Sequence, residues 1–84
     1  MKFRKKPVVI EAFWYGYESQ PEWFLQARSD GLVVDNGDYC VIKTLEGDMR
    51  ADLSDWIVQG GQGEIYPIKN QIFKMTYDPV EETE

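Results

Sequence analysis

The chain has 84 residues, with 9 Lys+Arg against 15 Asp+Glu, no His and one Cys. That length holds one hydrophobic core, and 43% apolar with 29% charged residues excludes a disordered or fibrous chain. Without imidazole or a second thiol there is no Ser-His-Asp or Cys-His nucleophile, no internal disulfide and no thiolate-rich zinc site. The acid excess argues against phosphate backbones as partners.

Positive charge gathers at the start. Lys2, Arg4, Lys5 and Lys6 precede Pro7 with no acid among them, whereas the rest of the chain sets five cations against all fifteen carboxylates. The basic start is followed by Pro7 and Glu11 rather than by an apolar stretch. It therefore reads as a charged flank and not as a signal peptide. No apolar run approaches the roughly 20 residues of a membrane span, and the expectation is a cytoplasmic protein.

Residues 8–15 are β-branched and aromatic, which predicts a strand. Both of its faces are mostly apolar, so a central position is expected. A helix of two to three turns is predicted after it. Ser19 and Glu22 have capping-box spacing, Pro21 suits a first turn, and Gly31 supplies the left-handed stop. Short strands then follow around Asn36-Gly37 and Glu46-Gly47, two hairpin turn signals. Met49, Ala51 and Leu53 alternate with Arg50 and Asp52 as in a half-buried strand. Further strands are expected at residues 56–58 and 64–68, a helical turn at 70–73 and a last strand at 74–77. The expected fold is α+β, with about six short strands in one strongly curved antiparallel sheet or small partly open barrel, and one early α-helix. Residues 1–78 form a single domain on this reading, and 79–84 a flexible acidic tail.

Several stretches carry a family resemblance. They are Thr44-Leu45-Glu46-Gly47-Asp48-Met49, Asp55-Trp56-Ile57-Val58-Gln59-Gly60, Gly63-Glu64-Ile65-Tyr66-Pro67, Ile72-Phe73 and Thr76-Tyr77, behind the opening Phe3-Arg4-Lys5-Lys6-Pro7-Val8-Val9-Ile10-Glu11-Ala12. In this order and spacing the chain resembles the PGDYG family of small phage and prophage proteins. The resemblance implies a viral or prophage origin and a sheet-rich domain, and brings no catalytic residues with it. Where the family's motif has Pro-Gly-Asp, this chain has Leu53-Ser54-Asp55. The motif's glycine suits a turn with positive φ, which serine tolerates poorly, so the resemblance does not fix the turn geometry at 53–55, while Asp55 keeps a side chain able to bond turn amides.

Candidate chemistry is sparse. Gly60-Gly61-Gln62-Gly63 lacks the following helix and the lysine of a phosphate-cradling loop, and reads as a plain turn. Asp30, Asp35, Asp38, Glu46, Asp48, Asp52 and Asp55 fall mostly at turns. Asp35, Asn36 and Asp38 lack the twelve-residue spacing of a calcium loop. Cys40 has no activating neighbour in sequence and reads as a small apolar strand residue. The aromatic residues, 14% of the chain, exceed what a core of this size needs. Trp14, Phe24, Trp56 and Phe73 are expected inside, and Tyr15, Tyr17, Trp23 and Tyr66 outside. Arg50 is expected in a cross-strand ion pair with Asp48 or Asp52.

These readings favour a small non-enzymatic phage accessory protein that binds and inhibits a host protein, with no cofactor, metal, membrane or direct nucleic-acid partner. The interaction residues expected are Tyr15, Tyr17, Trp23, Asp35, Asp38, Arg50 and Tyr66. The main alternative is a homo-oligomer that sequesters a small molecule or nucleotide signal, with tyrosines on the base and Arg50 or Lys69 on phosphate. A minor virion or assembly component is a further alternative.

Overall fold

The computed structural model describes residues 1–3 and 9–79. The cations Arg4, Lys5 and Lys6 and the tail residues 80–84 lie outside the described residues. Two antiparallel three-stranded sheets form. The first has the order β1 (Glu11–Trp14), β5 (Trp56–Gln59), β6 (Ile65–Ile68), and the second β2 (Val33–Asp35), β3 (Tyr39–Thr44), β4 (Gly47–Asp52). Helix α1 (Glu22–Ser29) follows β1, and α2 (Asn70–Thr76) follows β6.

The expected single curved sheet or barrel is thus corrected to two separate sheets, neither closed nor strongly curled, with two helices rather than one. The cause lies between β4 and β5. A tight turn, closed by the Asp55 amide donating to the Asp52 carbonyl at 3.0 Å, carries the chain out of the second sheet. β5 then pairs with β1 and β6 instead of continuing beside β4. A barrel needs an unbroken ladder around its circumference, and this one is broken here. Ser54 in that turn has φ 74°, so the positive φ expected only of a glycine is adopted by serine.

β1 is an edge strand among the described residues, not the central one expected. Its two apolar faces have separate coverings. Phe13 joins Tyr15, Phe24, Ala27, Val33, Cys40, Ile42, Ala51 and Ile57 in a core between the two sheets and α1. Trp14 pairs with Trp56 on the opposite face.

Helix α1 starts later than the capping box requires. Its N-cap is Pro21, without a side-chain cap, and Glu22 complements the first turn by charge instead. Its end is as expected. Gly31 has φ 80°, its amide donates to the Arg28 carbonyl, and the Leu32 amide reaches back to Ala27, the paired bonds of a Schellman stop. Gly37 and Gly47 also take positive φ, at 91° and 110°, in the two expected hairpin turns. Residues 74–77 are not a strand: α2 runs on to Thr76, with the Tyr77 amide on the Phe73 carbonyl at 2.9 Å. Phe73 and Tyr77 are four apart, and that helical spacing prevails over a short alternating pattern.

Candidate functional site

The outer face of the β1-β5-β6 sheet carries a chain of aromatic rings. Tyr17 stacks on Trp14 at 4.3 Å between ring centres, Trp14 lies near-parallel to Trp56 at 6.1 Å, and Trp56 stacks on Phe73 at 4.2 Å. Tyr77 extends the series at 5.2 Å from Phe73. The register of β1 and β5 places the two tryptophans opposite each other, and α2 lays Phe73 over Trp56. Both indole N–H groups are used internally. Trp14 Nε1 donates to the Ser54 carbonyl and Trp56 Nε1 to Asn70 Oδ1, each at 2.8 Å. With its indole donors satisfied, the array meets solvent mainly as aromatic carbon, and the Tyr77 hydroxyl at its far end bonds with that of Tyr66. Tyr17, at one end, is 64% exposed.

Beside this array runs a groove of about 590 Å³ along β1, lined by Ala12, Pro21, Trp23, Trp56, Phe73 and Tyr77 among others. A second cavity, of about 600 Å³, opens between the sheets and is walled by Leu32, Val33, Ile42, Met49, Ile65 and Tyr66.

The expected interaction residues divide: Tyr17 belongs to the array, Trp23 lines its groove and Tyr66 bonds Tyr77, whereas Tyr15, Asp35, Asp38 and Arg50 lie elsewhere. Tyr15 is corrected from exposed to buried, at 2% exposure. Its hydroxyl crosses between the sheets to Asp35 Oδ1 at 2.6 Å, so it is a core tyrosine with a polar anchor. Asp35 also accepts from Gln20 Nε2 at 2.8 Å and the Gly37 amide at 2.9 Å, with Arg28 at 3.9 Å. Burial alone would raise the Asp35 pKa, but these donors and the Arg28 charge outweigh it and hold the carboxyl below its ordinary value. Asp38 is exposed at the neighbouring turn. Trp23 is half-buried and packs edge-on against Phe13 at 5.7 Å. Tyr66 is half-buried at the inter-sheet cavity, and burial, then the Tyr77 hydroxyl, push it up to about 12.

Arg50 stands elsewhere, on the outer face of β4. It lies 4.1 Å over the Tyr39 ring and bonds Asp52 Oδ1 at 2.8 Å. The expected ion pair forms with Asp52 of its own strand, two residues on, rather than across strands. Lys69 is held by Asp55 at 3.1 Å and Asp52 at 3.7 Å. Asp55 itself is buried and also accepts the Asp52 amide, which pins the turn around Ser54.

Trp14, Trp56 and Phe73, expected in the core, are instead half-buried members of the outer array; of the four aromatics expected inside, Phe24 is fully buried. A signal for this was present. Trp14 and Trp56 alternate with Phe13 and Ile57, so one pair had to leave the core once the other entered it. Cys40 is buried, and burial, with the nearby Asp35 charge, pushes its thiol up to about 11. Among the described residues no group of three His, Cys, Asp or Glu side chains is placed to hold a metal ion. No helix among them is long and apolar enough to cross a membrane. No family model, curated protein or solved structure matches this chain.

Proposed function

We propose that this domain is a non-catalytic binding module that engages a protein partner through the outer aromatic face of the β1-β5-β6 sheet. The observation that carries the reading is the five-ring array from Tyr17 to Tyr77, held outside the core with its indole donors already satisfied. Stiff aromatic rings give large contact area at small entropic cost, the character of interface hot spots. The titratable groups support binding over turnover. Cys40 and Tyr66 are pushed up to about 11 and about 12, and Asp35 and Asp52 are lowered, so these shifts run away from neutrality rather than towards it. On the family resemblance, the setting we propose is the cytoplasm of a bacterial host, where a phage or prophage accessory protein inhibits the protein it binds.

The test is affinity capture from bacterial lysate with the full chain and with a Tyr17→Ala/Tyr77→Ala variant. Both positions lie at the ends of the array, so the core is spared. A partner retained by the native chain and lost, by at least tenfold, with the variant supports the reading. Equal retention by both overturns it.

A second reading, an apolar small-molecule binder, is favoured by the inter-sheet cavity with its largely aliphatic walls. Its nucleotide form is disfavoured, because Arg50 and Lys69 are already engaged by Asp52 and Asp55. Native mass spectrometry of the purified chain separates the two readings by the presence of a retained ligand.

A further inference from the structure

The groove beside the aromatic array follows the edge of β1 that pairs with no strand among the described residues. The Tyr15 amide donates to the Asp55 carbonyl at 2.9 Å and the Tyr15 carbonyl accepts the Ser54 amide at 3.0 Å, so Tyr15 turns its backbone towards β5. In an antiparallel ladder alternate residues face opposite edges, which turns the backbone groups of Ala12 and Trp14 outward. The outward row is closed at Trp14. Its amide donates to Glu18 Oε1 at 2.7 Å, and its carbonyl accepts the amides of Tyr17 and Glu18. At Ala12 no strand lies beside β1 among the described residues.

The walls flanking this edge come from both sides of the sheet. Pro21 and Trp23 belong to the α1 side, where Trp23 packs on Phe13; Trp56, Phe73 and Tyr77 belong to the outer array. A strand laid along β1 would point alternate side chains at these two walls. Among the described residues the charge lining the groove has one sign: Glu11 and Asp78 contribute carboxylates, and no described lining residue is a cation.

We propose that this edge takes an extended, basic segment of a protein partner, added as a fourth strand beside β1. Backbone bonds at Ala12 would hold the strand. Its apolar residues would rest on the aromatic walls, and its Arg or Lys side chains would meet Glu11 and Asp78 beside aromatic rings. The proposal rests on the binding function above and names the chemistry of the partner. The opposite edge strand, β6, carries Pro67, which cannot donate to an added ladder.

The probe is an acetylated, amidated Val-Arg-Val-Lys-Val-Arg peptide titrated into the full chain, followed by amide and indole NMR shifts. The expected result is saturable one-to-one binding, with the largest changes at Ala12 and the Trp23 indole. Because an added strand uses alternate amides, N-methylation of one alternate set should abolish binding and of the other be tolerated. Glu11→Gln/Asp78→Asn should weaken binding at least tenfold, against less than twofold for Asp38→Asn/Asp48→Asn, which removes the same charge elsewhere. Equal weakening by both pairs overturns the proposal in favour of diffuse attraction. An Ala12 amide already protected in the free protein also overturns it: protection that depends on protein concentration assigns the edge to a second copy, and protection that does not assigns it to the chain itself. A peptide that fails to bind, while a captured partner still depends on Tyr17 and Tyr77, overturns strand addition and leaves the binding function standing.

Discussion

Ser54 holds a strained backbone conformation. It is the one non-glycine with positive φ among the described residues, at 74°. The left-handed region costs a residue with a Cβ about 1–2 kcal/mol, and the freedom of glycine in the unfolded chain offsets about 0.5–1 of that. Ser54→Gly should therefore raise stability by about 0.5–1 kcal/mol, read as a higher urea midpoint with an unchanged slope. A lower midpoint would mean that the serine side chain stabilises the turn. Tyr15 and Asp35 make the second prediction. Tyr15→Phe removes a donor from a largely buried carboxylate and should cost about 1–3 kcal/mol at neutral pH. The Asp35 pKa is lowered in the fold, so its contribution is present above the unfolded value, near 4, and is lost as pH falls through the folded value. Tyr15→Phe should move acid unfolding, followed by circular dichroism, to higher pH. An unmoved midpoint would remove Tyr15 from that network. Composition made the surplus of aromatics visible, but it did not say which ones face inward. Tyr15 looks like an interface residue in sequence because its partner, Asp35, is twenty positions away and reaches it only once the two sheets stack.

At the scale of elements, α1 and α2 are held differently. α1 buries Phe24 and Ala27 in the core, whereas α2 has no fully buried residue and is held by the Trp56–Phe73 stack and the Trp56–Asn70 hydrogen bond. A seven-residue helix is too short to persist alone. Hydrogen exchange should find α2 opening locally while β3 exchanges only through global unfolding. Phe73→Ala should abolish protection of the α2 amides and leave those of β3 in place. Loss of both together would show α2 to be part of the central cooperative unit. The strands and hairpin turns were legible because Asn36-Gly37, Glu46-Gly47 and the flanking β-branched runs act locally. The division into two sheets was not. It depends on how a four-residue turn redirects the chain, and on β5 pairing with a strand more than forty residues earlier. Neither leaves a periodic trace in the sequence. The end of α2 is ambiguous in sequence because a four-residue stretch at 74–77 fits period two as well as period 3.6.

For the whole molecule, the two sheets divide the labour. One face of the β1-β5-β6 sheet closes the core, and the other carries aromatic rings beside a groove whose described charged residues, Glu11 and Asp78, are acidic. With a formal net charge of −6, association with a basic partner should be faster at low ionic strength and slow as salt screens it, while the aromatic contacts persist. The most direct test of binding through this face is a hydrogen-exchange footprint of the chain with and without a captured partner. The predicted result is protection concentrated over β1, the Tyr17 turn, β5 and α2, with β2, β3 and β4 unchanged. Protection confined to the outer face of the β2-β3-β4 sheet, around Tyr39 and Arg50, would contradict it.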